Sequence, residues 1–163
     1  MISYKEKLNK ITTFMFDVDG VLTNGDVMLF QNEVIRTLNA RDGYALQYAT
    51  KMGYNIFIVT GGNSADVKER LLGLGAKEVH LSSNIKINVY NDIKERHQLM
   101  DEEILYMGDD IPDYWVMQMV GLATCPNDAV PEIRKISDYI SPYNGGQGCV
   151  RDVIEQTLKL KHS

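Results

Sequence analysis

Three short apolar runs in this chain each stop on a polar group, and that regularity limits the folds open to it. Phe14-Met15-Phe16 runs into Asp17-Val18-Asp19-Gly20, Phe57-Ile58-Val59 into Thr60-Gly61-Gly62, and Leu105-Tyr106-Met107 into Gly108-Asp109-Asp110. Runs of this length, rich in β-branched and aromatic residues, read as strands buried on both faces, as in parallel sheets. Strands are expected over Ile11–Phe16, Asn55–Thr60, Val79–Leu81, Ile104–Met107, Leu122–Thr124 and Asp138–Ile140. Amphipathic spacing predicts helices over Gly43–Met52, Ser64–Leu72, Lys86–Gln98, Pro112–Met119, Ala129–Ile136 and Val150–Leu160. Strand followed by helix, repeated, implies an α/β chain with a doubly wound, Rossmann-like parallel sheet.

One insertion breaks the rhythm. Asn24-Gly25-Asp26 reads as a turn, and Val27–Phe30 and Val34–Leu38 flank Gln31-Asn32-Glu33 as a β-hairpin flap over about residues 24–39. No internal repeat or Pro-, Gly- and Ser-rich linker offers a boundary, so a single domain is expected over 1–163. With 44% hydrophobic and 24% charged residues the chain can build one good-sized core. A net charge of -5 argues against nucleic acid or anionic membrane as partner, so any anionic substrate must meet a local positive site. Cys125 and Cys149 lack metal-ligand spacing and are expected to be free. No stretch approaches the ~20 apolar residues of a membrane span. Together with the absence of a signal-like N-terminal run, this makes a cytoplasmic location the expectation.

Ligands of parallel α/β sheets bind beyond the carboxyl ends of the strands, where Asp17, Asp19, Thr60 and Asp109 fall. Lys86 opens the helix after the third sheet strand, and Asp110 and Asp113 follow Asp109. Carboxylates gathered so closely repel one another without a cation, and an all-oxygen donor set favours Mg2+. Phosphoryl transfer gives each group a task. Asp17 is the candidate nucleophile, since a carboxylate can attack phosphorus and split one hard step into two. Asp19 is placed to protonate the leaving alcohol and then deprotonate water. Lys86, the Thr60 hydroxyl and nearby backbone N–H groups suit the charge on the migrating phosphoryl oxygens. Asp17, Asp19 and Asp109 are the expected metal ligands, with Asp110 and Asp113 supporting them or orienting Lys86.

Each piece alone has a plainer explanation. A DxDG often closes an Asx turn, Thr60-Gly61-Gly62 could merely end a strand, and a single lysine is usually solvated. Their order along the chain is what resists chance. Phe16–Thr23, Thr60, Lys86 and Gly108–Asp113 together resemble the four motifs of the haloacid dehalogenase-like superfamily. The stretches between them are too short for a folded cap, so the resemblance is to the capless subgroup. It implies an aspartyl-phosphate mechanism with Asp17 as nucleophile and Asp19 as acid/base.

Within that subgroup, Asp19–Gly25, Asn39–Tyr44 and Gly145–Asp152 resemble the 3-deoxy-D-manno-octulosonate 8-phosphate phosphatases of lipopolysaccharide sugar biosynthesis. That likeness implies a homotetramer with hairpins at its centre and a neighbouring subunit closing each site. It also implies Arg41, Asp42, Gly61, Gly62 and Arg151 near the sugar acid, and a C-terminal tail over about 142–163 covering it. One position departs: many relatives carry an arginine directly after Thr-Gly, where this chain has Gly62. Either Arg41 or Arg151 meets the substrate carboxylate, or the substrate is a nine-carbon keto-deoxy sugar acid phosphate. Outside enzymes of this type, a receiver domain shares the sheet, the Thr, the Lys and Mg2+, and a non-catalytic scaffold is the other rival. The acid/base placed two residues beyond the nucleophile speaks against the first, and the complete motif set against the second.

Overall fold

A computed structural model describes residues 2–162. Met1 and Ser163, the ends of the expected domain, lie outside the described residues, as do the side chains of 160–162. The elements in chain order are α1 (Tyr4–Asn9), β1 (Thr13–Phe16), β2 (Met28–Phe30), β3 (Glu33–Ile35), α2 (Ala40–Lys51), β4 (Asn55–Val59), α3 (Ala65–Gly73), β5 (Glu78–His80), α4 (Lys86–His97), β6 (Ile104–Met107), α5 (Tyr114–Met119), β7 (Leu122–Cys125), α6 (Pro131–Ile136), β8 (Tyr139–Ile140) and α7 (Cys149–His162). Six strands form one parallel sheet in the order β5-β4-β1-β6-β7-β8.

Alternation along the strands supplies two cores. Phe14, Phe16, Ile56, Ile58, Leu105 and Met107 face one side, against residues of α1, α2, α3 and α7. Met15, Phe57, Val59 and Tyr106 face the other, against α4, α5 and α6. Burying each such side chain contributes about 1.5–3 kcal/mol, which holds β1 rigidly between its neighbours. Because β4 and β5 extend the sheet on one side of β1 and β6 returns to the other, the order reverses beside β1. The crevice at that reversal is where the carboxyl ends of β1, β4 and β6 meet.

The hairpin is smaller than expected. β2 and β3 pair antiparallel around Gln31 and Asn32, whose φ values of 47° and 63° make the tight turn that matches strand twist. Val27, Met28, Leu29, Phe30, Val34 and Ile35 are all exposed on it. At the N-terminal end Ser3 caps α1 by accepting from Glu6 N, Leu8 is buried, and the Tyr4 ring stacks on Tyr139 at 4.7 Å. The C-terminal tail expected over about 142–163 is built on a helix. Its GGQG run leads straight into α7, whose Val150, Val153 and Ile154 are fully buried in the first core, so an amphipathic helix anchors it. Among the described residues no helix is long and apolar enough to cross a membrane.

Candidate active site

Gly20 fixes the start of the site. It takes φ +83°, a conformation that only glycine adopts without strain, and so turns the chain back immediately after β1. A Cβ on it would lie 1.7 Å from Asp109 Oδ2. The turn after β1 and the loop after β6 therefore close on each other with no side chain between. Asp17, Asp19, Gly20, Thr60, Gly61, Gly62, Lys86, Asp109 and Asp110 line one cavity of about 380 Å³, joined by Gly25, Ser83, Asn84 and Pro112. Nine residues expected from three strand ends and one helix start thus share a wall.

Lys86 is the hub. Its Nζ, almost wholly buried, lies 3.0 Å from Asp17 Oδ2 and 2.8 Å from Asp113 Oδ1. Burial opposes the charge on Lys86, but Asp113 and Asp17 outweigh it and hold the ammonium charged. Asp17 Oδ1 accepts from its neighbour Val18 N at 2.7 Å. Asp113 lies beneath the cavity, fully buried, with both oxygens in use. Oδ1 accepts from Lys86 and from Tyr106 OH at 2.5 Å, and Oδ2 from Asp109 N at 3.0 Å and Asp110 N at 3.4 Å. It fixes the lysine and the β6 loop together. Asp110 caps the following turn by accepting from Ile111 N. Thr60 Oγ1 accepts from Gly62 N at 3.1 Å, holding the backbone after β4 in a tight turn.

Asp17, Asp109 and Asp113 each present a carboxylate oxygen within 4.8 Å of the others. Burial, then the charge of Asp113, push the Asp17 carboxyl up, with Lys86 acting against them. Burial and the neighbouring Asp113 and Asp110 push Asp109 up to about 7. Both shifts say that the ionised pair lacks compensation, which a hard divalent cation between them would supply. With Asp113 fully engaged by protein donors, Asp17 and Asp109 are the two with capacity left to ligate. The Asp19 carboxylate, expected as a third ligand, lines the same cavity but is not among these three, and Arg36 donates to it through Nε at 2.5 Å and Nη2 at 3.0 Å.

Arg41, Asp42 and Arg151 do not line this cavity in the chain. Arg41 and Arg151 border a second one, of about 420 Å³, with Asn39, Tyr143 and Gln147. Asp42 is buried, accepts from Arg151 N at 3.0 Å and leaves Oδ2 without a hydrogen-bond partner, and burial pushes its carboxyl up. A larger groove, about 480 Å³, runs between α2 and α7 past Tyr44, Tyr48 and Met52 and gathers no catalytic groups. Sequence reasoning missed Arg36, which carries no local signal, and the Tyr106 hydroxyl, which a buried strand tyrosine always has to satisfy.

No protein-family model matches the chain. Individual proteins match it over most of its length. The 3-deoxy-D-manno-octulosonate 8-phosphate phosphatase of Escherichia coli K12 is 33% identical over 153 residues, 93% of this chain and 81% of that protein. The crystal structure of the same phosphatase from Yersinia pestis superposes with a TM-score of 0.93 at 28% identity, covering 96% of this chain and 85% of that one. That from Moraxella catarrhalis, in complex with magnesium ion, phosphate ion and the KDO sugar acid, gives 0.93 at 28% identity, covering 96% and 91%.

Proposed function

The chain belongs to the 3-deoxy-D-manno-octulosonate 8-phosphate phosphatase family of the haloacid dehalogenase-like superfamily, and we propose that it hydrolyses that eight-carbon sugar acid phosphate with Mg2+, through a phosphoryl group held on Asp17. It is a phosphoric monoester hydrolase. The observation that carries the reading is Lys86 bridging Asp17 and Asp113 at the wall that Thr60, Asp19 and Asp109 share.

In the first half-reaction an Asp17 oxygen attacks phosphorus, the ester P–O bond breaks, and the departing alkoxide takes a proton from Asp19. In the second, water attacks the acyl phosphate, the phosphorus–Asp17 bond breaks, and Asp19 takes the proton back, so the enzyme is restored. Asp17 and Asp109 would hold Mg2+, which neutralises charge on the phosphoryl oxygens. Lys86, the Thr60 hydroxyl and the Gly61 N–H would meet the same oxygens, and Asp113 keeps Lys86 from swinging away.

The exposed apolar hairpin supports a homotetramer in which a neighbouring copy buries Met28, Leu29 and Phe30 and closes a cavity that this chain leaves open. Gly62, which brings no side chain to the cavity, keeps a nine-carbon sugar acid phosphate as the second reading. Phosphate release with Mg2+ distinguishes them. A kcat/KM preference of about a hundredfold for the eight-carbon substrate over nine-carbon and hexose phosphates is expected. Preference for a nine-carbon substrate moves the assignment, and no turnover of any sugar phosphate overturns it.

A further inference from the structure

We propose that Arg36 is a positioning residue for Asp19, which makes the foot of the hairpin part of the acid/base machinery. The inference rests on the reading of Asp19 as acid and base. Arg36 lies one residue beyond β3, yet its side chain is only 10% exposed. Arg36 shares the lining of a small cavity with Val18, Thr60, Gly62, Ser64, Val67 and Leu81, residues of the segments that follow β1, β4 and β5. Gly62 leaves it that room: a Cβ there would approach Nη2 to 3.0 Å.

From this seat Nε meets Oδ1 of Asp19 and Nη2 meets Oδ2. A two-point pair of this kind fixes the rotation of a carboxylate as well as its place. Among the described residues no other side chain donates to that carboxylate. Asp19 precedes the left-handed Gly20 in a turn, and its backbone alone leaves the side-chain rotamers open. Hence the guanidinium chooses the rotamer. A plain ion pair that only staples the hairpin to the body would affect stability and leave the turnover number alone.

A double-mutant cycle separates the two roles. Kinetics of Arg36→Met, Asp19→Asn and the double variant are measured with p-nitrophenyl phosphate and the eight-carbon sugar acid phosphate at saturating Mg2+. Arg36→Met is expected to lower kcat by about 10- to 100-fold with KM unchanged, and Arg36→Lys to recover part of it by restoring charge without the fork. In the Asp19→Asn background Arg36→Met should cost nothing further, because no carboxylate remains to be placed. If Arg36→Met does not fold, Arg36→Lys carries the same cycle. An unchanged kcat, or an equal loss in both backgrounds, overturns the proposal. Full activity of Asp19→Asn would instead sink the assignment of Asp19 itself.

Discussion

The Lys86 ammonium sits 3.0 Å from Asp17 Oδ2 and 2.8 Å from Asp113 Oδ1, so one buried cation ties the carboxylate after β1 to the carboxylate after β6. Removing it leaves two buried acids without their counter-charge. Lys86→Met is expected to lower kcat by about 10²–10³-fold through lost stabilisation of the phosphoryl oxygens. It should also cost about 3–5 kcal/mol in urea unfolding, the usual penalty for breaking a buried pair. A kcat loss without a stability loss would contradict the bridging role.

Gly20 and Asp109 touch with no room for a methyl group. Gly20→Ala should cost about 1–2 kcal/mol for its left-handed backbone. It should also raise the half-saturating Mg2+ concentration about 10- to 100-fold by displacing Asp109. Titrating Mg2+ in phosphate-release assays checks this, and an unchanged half-saturation would remove Asp109 from the cation site.

Asp109 supplies a pH dependence. Its carboxyl is raised to about 7 in the cation-free protein. A raised folded-state pKa contributes stability that is full below the unfolded value and lost as pH rises through the folded one. In a chelator the Tm should therefore fall as pH rises from about 6 to 8. Mg2+, which binds the ionised form, should raise Tm more at the higher pH. Equal Mg2+ shifts at both ends of the range would contradict the assignment.

Glu78 works with the opposite sign, away from the site. Arg96 holds it at 2.6 and 2.8 Å, His97 at 2.6 Å and His80 at 2.7 Å, and these partners, Arg96 foremost, hold its carboxyl well below the usual range. A depressed pKa contributes stability above the unfolded value of about 4.3, lost as pH falls through the folded one. Glu78→Gln should lower Tm modestly at neutral pH, less so in high salt because the cluster is part exposed. The gap from the parent protein should close in strong acid.

What the sequence made legible follows from which signals are local. Asp17, Thr60 and Asp109 end apolar strands, so the rule that parallel sheets bind ligands at their carboxyl edge located them without coordinates. Lys86 was placed by its position at the start of a helix. The N-terminus of α2 was missed because Asn39, which accepts from Arg41 N and Asp42 N, is an ordinary turn residue until it caps a helix. Gly145-Gly146 falls in the tail that the resemblance places over the site. In the fold it is glycine because a Cβ at Gly145 would come within 2.0 Å of Gly20 O, so the start of the C-terminal segment packs on the catalytic turn. Arg36 was invisible because its partner lies 17 residues away and its place beside Asp19 and Gly62 exists only in the folded chain.

The most direct test is chemical trapping. The protein and its Asp17→Asn variant would be mixed with Mg2+ and the eight-carbon sugar acid phosphate, acid-quenched within the first turnover and digested for mass spectrometry. A phosphoryl group on Asp17, absent from Asp17→Asn along with all steady-state turnover, is the predicted result. Turnover by Asp17→Asn at the parent rate, with no phosphorylated aspartate in either protein, would contradict the mechanism.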